Sequence, residues 1–264
     1  MNTLTSNNSR QSRNGALARG MLALAGLLLV AIATSGCKTK AAPNSGFLQD
    51  SGQMGEDRSR FPFQRVWVKP GVKKENYDFV NVAPVNTSYL MNVSGWKAAN
   101  PGNADLDYAV RDLAEYTRAT FVEAFNRPQN NRFRVTPQPA PRSVVLELAI
   151  TELVPSKAAL TAAGMIAPAA GQAAVGVGAK VAAGQPSVAI EGRVRDASTG
   201  EVLFQFADRQ EPQMRVVNVQ GLTWWSHAKE AIRDWAAQCV QLANTPADQK
   251  VEDRLPFTLK PWSN

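Results

Sequence analysis

The chain has 264 residues, of which 44% are hydrophobic and 19% charged, a balance typical of a globular protein. Its formal net charge is +7, and it falls by three to +4 without Arg10, Arg13 and Arg19, which lie in a leader that has no acidic residue. The remaining charges are interspersed, without a basic stripe carrying stacking aromatic residues, which argues against nucleic-acid binding.

The N-terminal region has the three parts of a secretory signal. The first 19 residues are polar and only positively charged, Gly20–Ala33 is an uncharged apolar run of 14 residues, and small residues precede Cys37. The apolar run is shorter than the ~20 residues that span a bilayer. We therefore predict a signal peptide over residues 1–36, cleaved between Gly36 and Cys37, rather than an uncleaved anchor helix.

The sequence TSGC at residues 34–37 resembles a bacterial lipobox, with Thr34 where Leu is usual. The resemblance implies that Cys37 is lipidated, with a diacylglycerol on its sulfur and further acylation such as palmitate, because stable anchoring takes more than one chain. Lys38 follows where an Asp would act as an inner-membrane retention signal. The resemblance therefore implies an outer-membrane anchor, with the protein on the periplasmic face.

Residues 37–60 are predicted to form a disordered, lipidated tether. The polar stretch KTKAAPNS is typical of a flexible linker, and docking on the domain is expected only from Gly46 to Asp50. The next stretch, RFPFQRVWVK, is too apolar for solvent, and we expect it to run extended over the folded domain. The domain itself is predicted to cover residues 61–245, followed by an extended tail over residues 246–264.

The hydrophobic periodicity within this domain predicts a strand at Asp78–Val85, an amphipathic helix from Leu106, and a short strand at RFRVTP. A strand at Ser143–Leu153, a hairpin with its turn at DASTG, and a Trp-rich helix follow. This order predicts an α+β fold, with a mostly antiparallel sheet of about five strands and two long amphipathic helices packed on one face.

The segment of residues 158–184 is rich in Ala and Gly, and Gly164, Gly171 and Gly178 recur every seven residues. Small residues at such spacing allow close helix contacts in lipid, which predicts an interaction segment that contacts a membrane or forms a homo-oligomer. The alternative is a small-residue loop or lid, since Ala and Gly give little apolar driving force and Pro168 interrupts the run.

The sequence contains no motif for a catalytic, cofactor or metal site. Cys239 lies on the apolar stripe of the last helix, and the only histidine, His227, is twelve residues away on that helix, so the two cannot meet. Glu147, Glu191 and Arg193 are read as cross-strand ion pairs. We therefore predict no catalysis, no cofactor and no metal.

Other polar and aromatic candidates also favour structural roles. Asp196 and Glu201 flank the hairpin turn, where acidic side chains usually cap backbone amides. Trp224 and Trp225 open the last helix, where core anchoring is the simpler interpretation.

Several stretches resemble an uncharacterised family of bacterial lipoproteins, the domain-of-unknown-function 3313 family: SGFLQD, VNVAPV, LELAITELVP and VAIEGRVRDASTGEVLFQFADR. The resemblance transfers no functional residue beyond Cys37. Our leading hypothesis is a non-enzymatic outer-membrane lipoprotein that binds or scaffolds a protein partner in the cell envelope. The alternatives are an accessory subunit of an envelope transport or assembly complex, engaging partners or membrane through residues 158–184, and a cell-envelope hydrolase.

Overall fold

The computed structural model describes residues 40–49, 51–57, 60–91, 104–127, 132–154, 187–211, 226–246 and 249–251. The strands in these ranges are β1 (Arg65–Val68), β2 (Phe79–Val82), β3 (Arg134–Val135), β4 (Ser143–Val154), β5 (Ser187–Asp196) and β6 (Val202–Gln210). The helices are α1 (Ala104–Asn126) and α2 (Ser226–Asn244), with short 3₁₀ turns at Ser51–Gln53 and Lys74–Asn76. Within these ranges, no helix combines the length and apolar character needed to cross a membrane.

The six strands form one mixed sheet in the order β1-β6-β5-β4-β2-β3. The pairs β1–β6, β6–β5 and β5–β4 are antiparallel, whereas β2 is parallel to both β4 and β3. The predicted α+β class is confirmed, but the predicted mostly antiparallel sheet of about five strands is wrong in both strand number and direction.

Two physical causes explain these differences. The apolar arm supplies β1, which pairs with β6 in the register Arg65↔Ala207 to Val68↔Phe204 and so adds a strand at the sheet edge. Helix α1 joins β2 to β3, and a helical crossover returns the chain to the end of the sheet where it started, which makes the two strands parallel.

The main core lies between the helices and one face of the sheet. Amphipathic α1 contributes the fully buried Leu113 and Phe121, and α2 contributes Ile232 and Trp235. They pack against alternate residues of the sheet, such as Leu148, Ile150, Val188 and Ile190. Burying each large apolar side chain stabilises the fold by roughly 1.5–3 kcal/mol.

The core contains one very close approach between adjacent strands. Gly192 of β5 faces Phe206 of β6, and a Cβ atom at position 192 would lie 2.2 Å from the Phe206 ring. Phe206 is fully buried and stacks on Phe63, with their ring centroids 4.4 Å apart. The absence of a side chain at position 192 is therefore what lets this ring occupy the core.

The turn between β5 and β6 confirms the predicted role of Asp196. Its Oδ1 accepts hydrogen bonds from the amides of Ser198 (2.7 Å) and Thr199 (2.8 Å), and Gly200 has a φ of 73°. The Thr199 amide is the main cause that holds the pKa of Asp196 below its usual value. Tyr77 donates its hydroxyl to Asp196, and burial, followed by this bond, raises the pKa of Tyr77 to about 12.

Candidate functional site

The face of the sheet opposite the helices is covered by residues 40–49, here called the strap. Three alanines on neighbouring strands, Ala149, Ala189 and Ala207, lie together on this face, and their small side chains allow another segment to pack closely on the sheet. Ala42, Phe47 and Leu48 of the strap pack on this surface and are 4–6% exposed. The strap is therefore part of the folded domain, and its packing begins at Ala42, earlier than the Gly46 that the sequence predicts.

A buried carboxylate holds the centre of the strap. Glu191 of β5 is fully buried, and it accepts hydrogen bonds from the Ser45 amide at 3.2 Å and the Ser45 hydroxyl at 2.5 Å. The Arg65 guanidinium of β1 lies 3.9 Å from the same carboxylate. Because a buried carboxylate is costly without donors, these contacts favour the docked strap.

Arg193, two residues further along β5, holds the other end of the strap. Its guanidinium lies 4.6 Å above the Phe47 ring and donates to the Phe47 carbonyl at 3.1 Å. It also pairs with Glu147, its cross-strand partner on β4, and Arg195 reaches the same carboxylate at 3.0 Å. The predicted cross-strand ion pair is confirmed for Glu147, whereas Glu191 is committed to the strap.

The start of the strap is fixed at one end of the sheet by Gln64. The Ala42 amide donates to Gln64 Oε1 at 2.8 Å, and Gln64 Nε2 donates to the carbonyls of Lys40 (3.4 Å) and Arg209 (3.2 Å). The backbone amide of Gln64 donates to Asp208 Oδ1 at 3.1 Å. Lys40 therefore lies beside the last residues of β6.

The same end of the sheet carries a second group of paired charges. Arg209 donates to Glu152 of β4 at 2.7 Å and also pairs with Glu211. Ser187, which opens β5, donates its hydroxyl to Glu152. Every charge of this group has a partner within it, which is the arrangement expected of a structural cluster.

His227 also lies at this end, in the first turn of α2. Burial lowers its pKa, and a hydrogen bond with the Ser187 backbone partly opposes that shift. The ring nitrogen Nε2 is buried without a hydrogen-bond partner among the described residues. His227 is therefore held as a neutral imidazole.

Cys239 packs, partly buried, against the main core. Burial raises the pKa of its thiol, so the reactive thiolate is disfavoured at neutral pH. This environment is that of a small hydrophobic residue, as the helical periodicity predicts, and differs from that of a nucleophile.

Several predicted site residues lie outside the described residues, and their roles stay predictions. They are the cleavage and lipidation residues Gly36 and Cys37, the interaction residues Gly164, Gly171 and Gly178, and the helix-opening Trp224 and Trp225.

Two open clefts lie on the described part of the domain. One, of about 320 Å³, is lined by Trp67, Lys69, Glu201 and the strap residue Gln49, among others. The other, of about 450 Å³, runs along α1 beside the chain that follows β2, and its lining includes Val85, Val110 and Arg118. Arg118 is positioned there by its Nε, which donates to the Val82 carbonyl of β2 at 3.0 Å.

The described residues hold no group of three metal-ligating side chains. Among the buried charges, Arg209 pairs with Glu152 and Glu211, Glu191 accepts hydrogen bonds from the strap, and Asp208 accepts hydrogen bonds from the Trp235 indole and the Gln64 backbone amide. The arrangement can hold a peptide segment on a sheet face through apolar contacts, a buried carboxylate and an arginine.

The sequence predicted docking from Gly46 onward, but not the packing of residues 40–45 or the side chains that hold the strap, although two signals were present. Alternation in β5 places Ala189, Glu191 and Arg193 on the face away from the helices, where the two charged residues were interpreted as members of cross-strand ion pairs. Alanines at the outward positions of three strands are, however, the small residues that a closely packed segment requires. Phe47 and Leu48 in SGFLQD were the apolar residues available to provide it.

Two solved structures similar to this chain are PelC dodecamers from Paraburkholderia phytofirmans. One, a single-substitution variant, is 13% identical, covers 68% of this chain and 98% of that chain, and has a TM-score of 0.36. The other is 14% identical, covers 66% of this chain and 94% of that chain, and has a TM-score of 0.34. No curated protein matches the chain.

A family model matches residues 43–239. The match begins inside the strap at Pro43 and continues through the sheet and both helices to Cys239. Since it covers well over half of the sequence, the chain belongs to the family described as "Protein of unknown function (DUF3313)".

Proposed function

We propose that the protein is a lipoprotein anchored in the outer membrane through Cys37, and that its domain acts on the periplasmic side as a binding or scaffolding module. The observation that carries the proposal is the docked strap. The predicted lipid site is only three residues from Lys40, where the folded domain begins. A chain with this arrangement connects the lipid directly to a stable α+β domain.

The charges of the described domain support a binding role rather than catalysis. A general acid or base needs a carboxylate or imidazole that is accessible to a substrate. Glu191 is fully buried under the strap, Glu147 is paired with two arginines, and His227 is held neutral at the edge of the core. The proposal therefore assigns these groups to holding the fold and the strap.

The anchor is tested by replacing each of the two cysteines in turn. Cys37→Ala should remove the protein from the outer-membrane fraction and remove the mass of the acyl chains. Cys239→Ala is the matched control and should stay in the membrane fraction with its acyl mass unchanged. A Cys37→Ala protein that stays in the outer membrane with unchanged mass would contradict the proposal.

The binding role is tested by photocrosslinking in cells from exposed positions of the domain, followed by identification of the captured protein. A single envelope protein captured repeatedly by the native chain would support the role. Hydrolysis of an envelope substrate that is lost on a single carboxylate substitution would instead favour an enzyme.

A further inference from the structure

The point where the chain enters the folded domain lies at one defined end of the sheet. Lys40 is bound through Gln64 to the carbonyl of Arg209, and Arg209 lies one residue before the end of β6. At this same end β4 finishes at Val154 opposite Ser187, the first residue of β5. The opposite end carries the turn of residues 197–201. Strand β5 has 10 residues, so the two ends are about 30 Å apart at ~3.3 Å per residue.

The strap keeps this entry point fixed. Three contacts along it, Ala42 with Gln64, Ser45 with Glu191, and Phe47 with Arg193, hold it from one end to the other. Cys37 is three residues before Lys40, and an extended chain covers at most ~3.6 Å per residue, so the two Cα atoms are within about 11 Å. If the chain were free as far as residue 60, the same limit would be about 80 Å.

We propose that the end of the sheet marked by Lys40, Val154, Ser187 and Arg209 faces the phospholipid headgroups, and that the turn of residues 197–201 points away from the bilayer. This inference rests on the proposed lipid anchor at Cys37. A short connection to one end of a rigid domain brings that end close to the headgroups.

Charge and composition at this end fit the same orientation. Lys40 is exposed, and Lys38 lies between it and the anchor, so these two positive charges exceed the single net negative charge of Arg209, Glu152 and Glu211 at this end. Each lysine near an anionic surface contributes about 1 kcal/mol of attraction. Val154 and Ser187 also flank, in the sequence, the stretch of residues 158–179, which has no charged residue. The polar hairpin turn with Asp196, Ser198 and Thr199 lies at the opposite end.

The orientation is tested with the full acylated protein in vesicles of phosphatidylethanolamine and phosphatidylglycerol. In a Cys239→Ala background, a nitroxide is attached either at Gln210→Cys, near the proposed membrane-facing end, or at Thr199→Cys, on the distal turn. A fraction of the lipids carries a nickel chelate on the headgroup, which relaxes only nearby nitroxides. We expect strong relaxation of the nitroxide at position 210 and little relaxation of the nitroxide at position 199.

A linker variant provides the matched control. A linker of about 20 Gly and Ser residues, inserted between Thr39 and Lys40, has a root-mean-square span of about 25 Å and leaves Lys38 in place. It should abolish the difference between the two positions while the protein stays bound to the vesicles.

The possible failures separate the two proposals. Equal relaxation at the two positions in the vesicle-bound native chain, or stronger relaxation at position 199, would overturn the orientation and leave the anchor intact. A purified chain that carries no acyl mass and does not bind the vesicles would overturn the anchor, and the orientation with it.

Discussion

Substituting Gly192 by alanine tests the closest packing in the core. The added Cβ would lie 2.2 and 2.3 Å from two ring carbons of Phe206, whereas carbon atoms pack favourably at about 3.5–4.0 Å. The ring or the strand must therefore move by more than about 1 Å. Phe206 cannot move easily, because it is fully buried and stacked on Phe63.

The expected loss is roughly 1–2 kcal/mol of unfolding free energy. Overpacking a core costs roughly 1–3 kcal/mol, and the reduced freedom of the unfolded chain returns ~0.4–1 kcal/mol when Gly becomes Ala. For a domain of this size, such a loss lowers Tm by about 2–8 °C. Urea and thermal unfolding followed by circular dichroism measure both quantities.

Gly52→Ala is the matched control, because a Cβ at that exposed position would meet nothing within 4 Å. It should change the free energy by less than about 0.5 kcal/mol. Phe206→Leu in the Gly192→Ala background should relieve the clash, so the double variant should be more stable than the sum of single effects predicts. A Gly192→Ala protein as stable as the native one, or strictly additive effects, would refute the packing argument.

Three further predictions follow from other contacts. Trp235→Phe removes the indole N–H that donates to buried Asp208 at 2.7 Å and should cost about 1.5–3 kcal/mol, a loss that the half-buried Trp67→Phe should not match. Burial lowers the pKa of folded His227, so below the unfolded pKa of about 6.5 the unfolded chain binds a proton that the folded chain does not. The unfolding free energy should therefore be highest above that pH and decrease as the pH falls below it. His227→Gln should flatten the unfolding free energy below pH ~6.5, and an unchanged slope would contradict the assigned environment. Replacing residues 158–184 by a short Gly/Ser turn should preserve cooperative unfolding, since Val154 and Ser187 are already paired. Loss of an oligomer on gel filtration with light scattering would support assembly through that segment, and an unchanged number of subunits would contradict it.

Elements whose periodicity comes from burial on one side were predictable from the sequence. Helices α1 and α2, strand β4 and the β5–β6 hairpin all have a repeating apolar set that faces the main core. Local turn chemistry was also readable, since Asp196 and Gly200 act within a few residues of chain. These features depend on neighbours in sequence.

The strap could not be predicted in the same way. Its contacts join Ser45 to Glu191 and Phe47 to Arg193, residues that are 146 positions apart in the chain. Each of these residues also has a plausible local interpretation: Ser45 as part of a linker, Phe47 as part of an arm, and Glu191 and Arg193 as members of cross-strand ion pairs. Only their meeting across the sheet gives Glu191 its donors.

The sequence by itself determined the α+β class, the helix and hairpin positions, and the family, because each depends on local periodicity or on residue order. The tertiary structure decided the mixed strand directions, the sixth strand β1, and the docking of the strap on the alanine face. These depend on which distant segments can share a surface, which is a matter of shape and of satisfying buried charge. For this protein, those long-range contacts fix where the chain that follows Cys37 enters the domain.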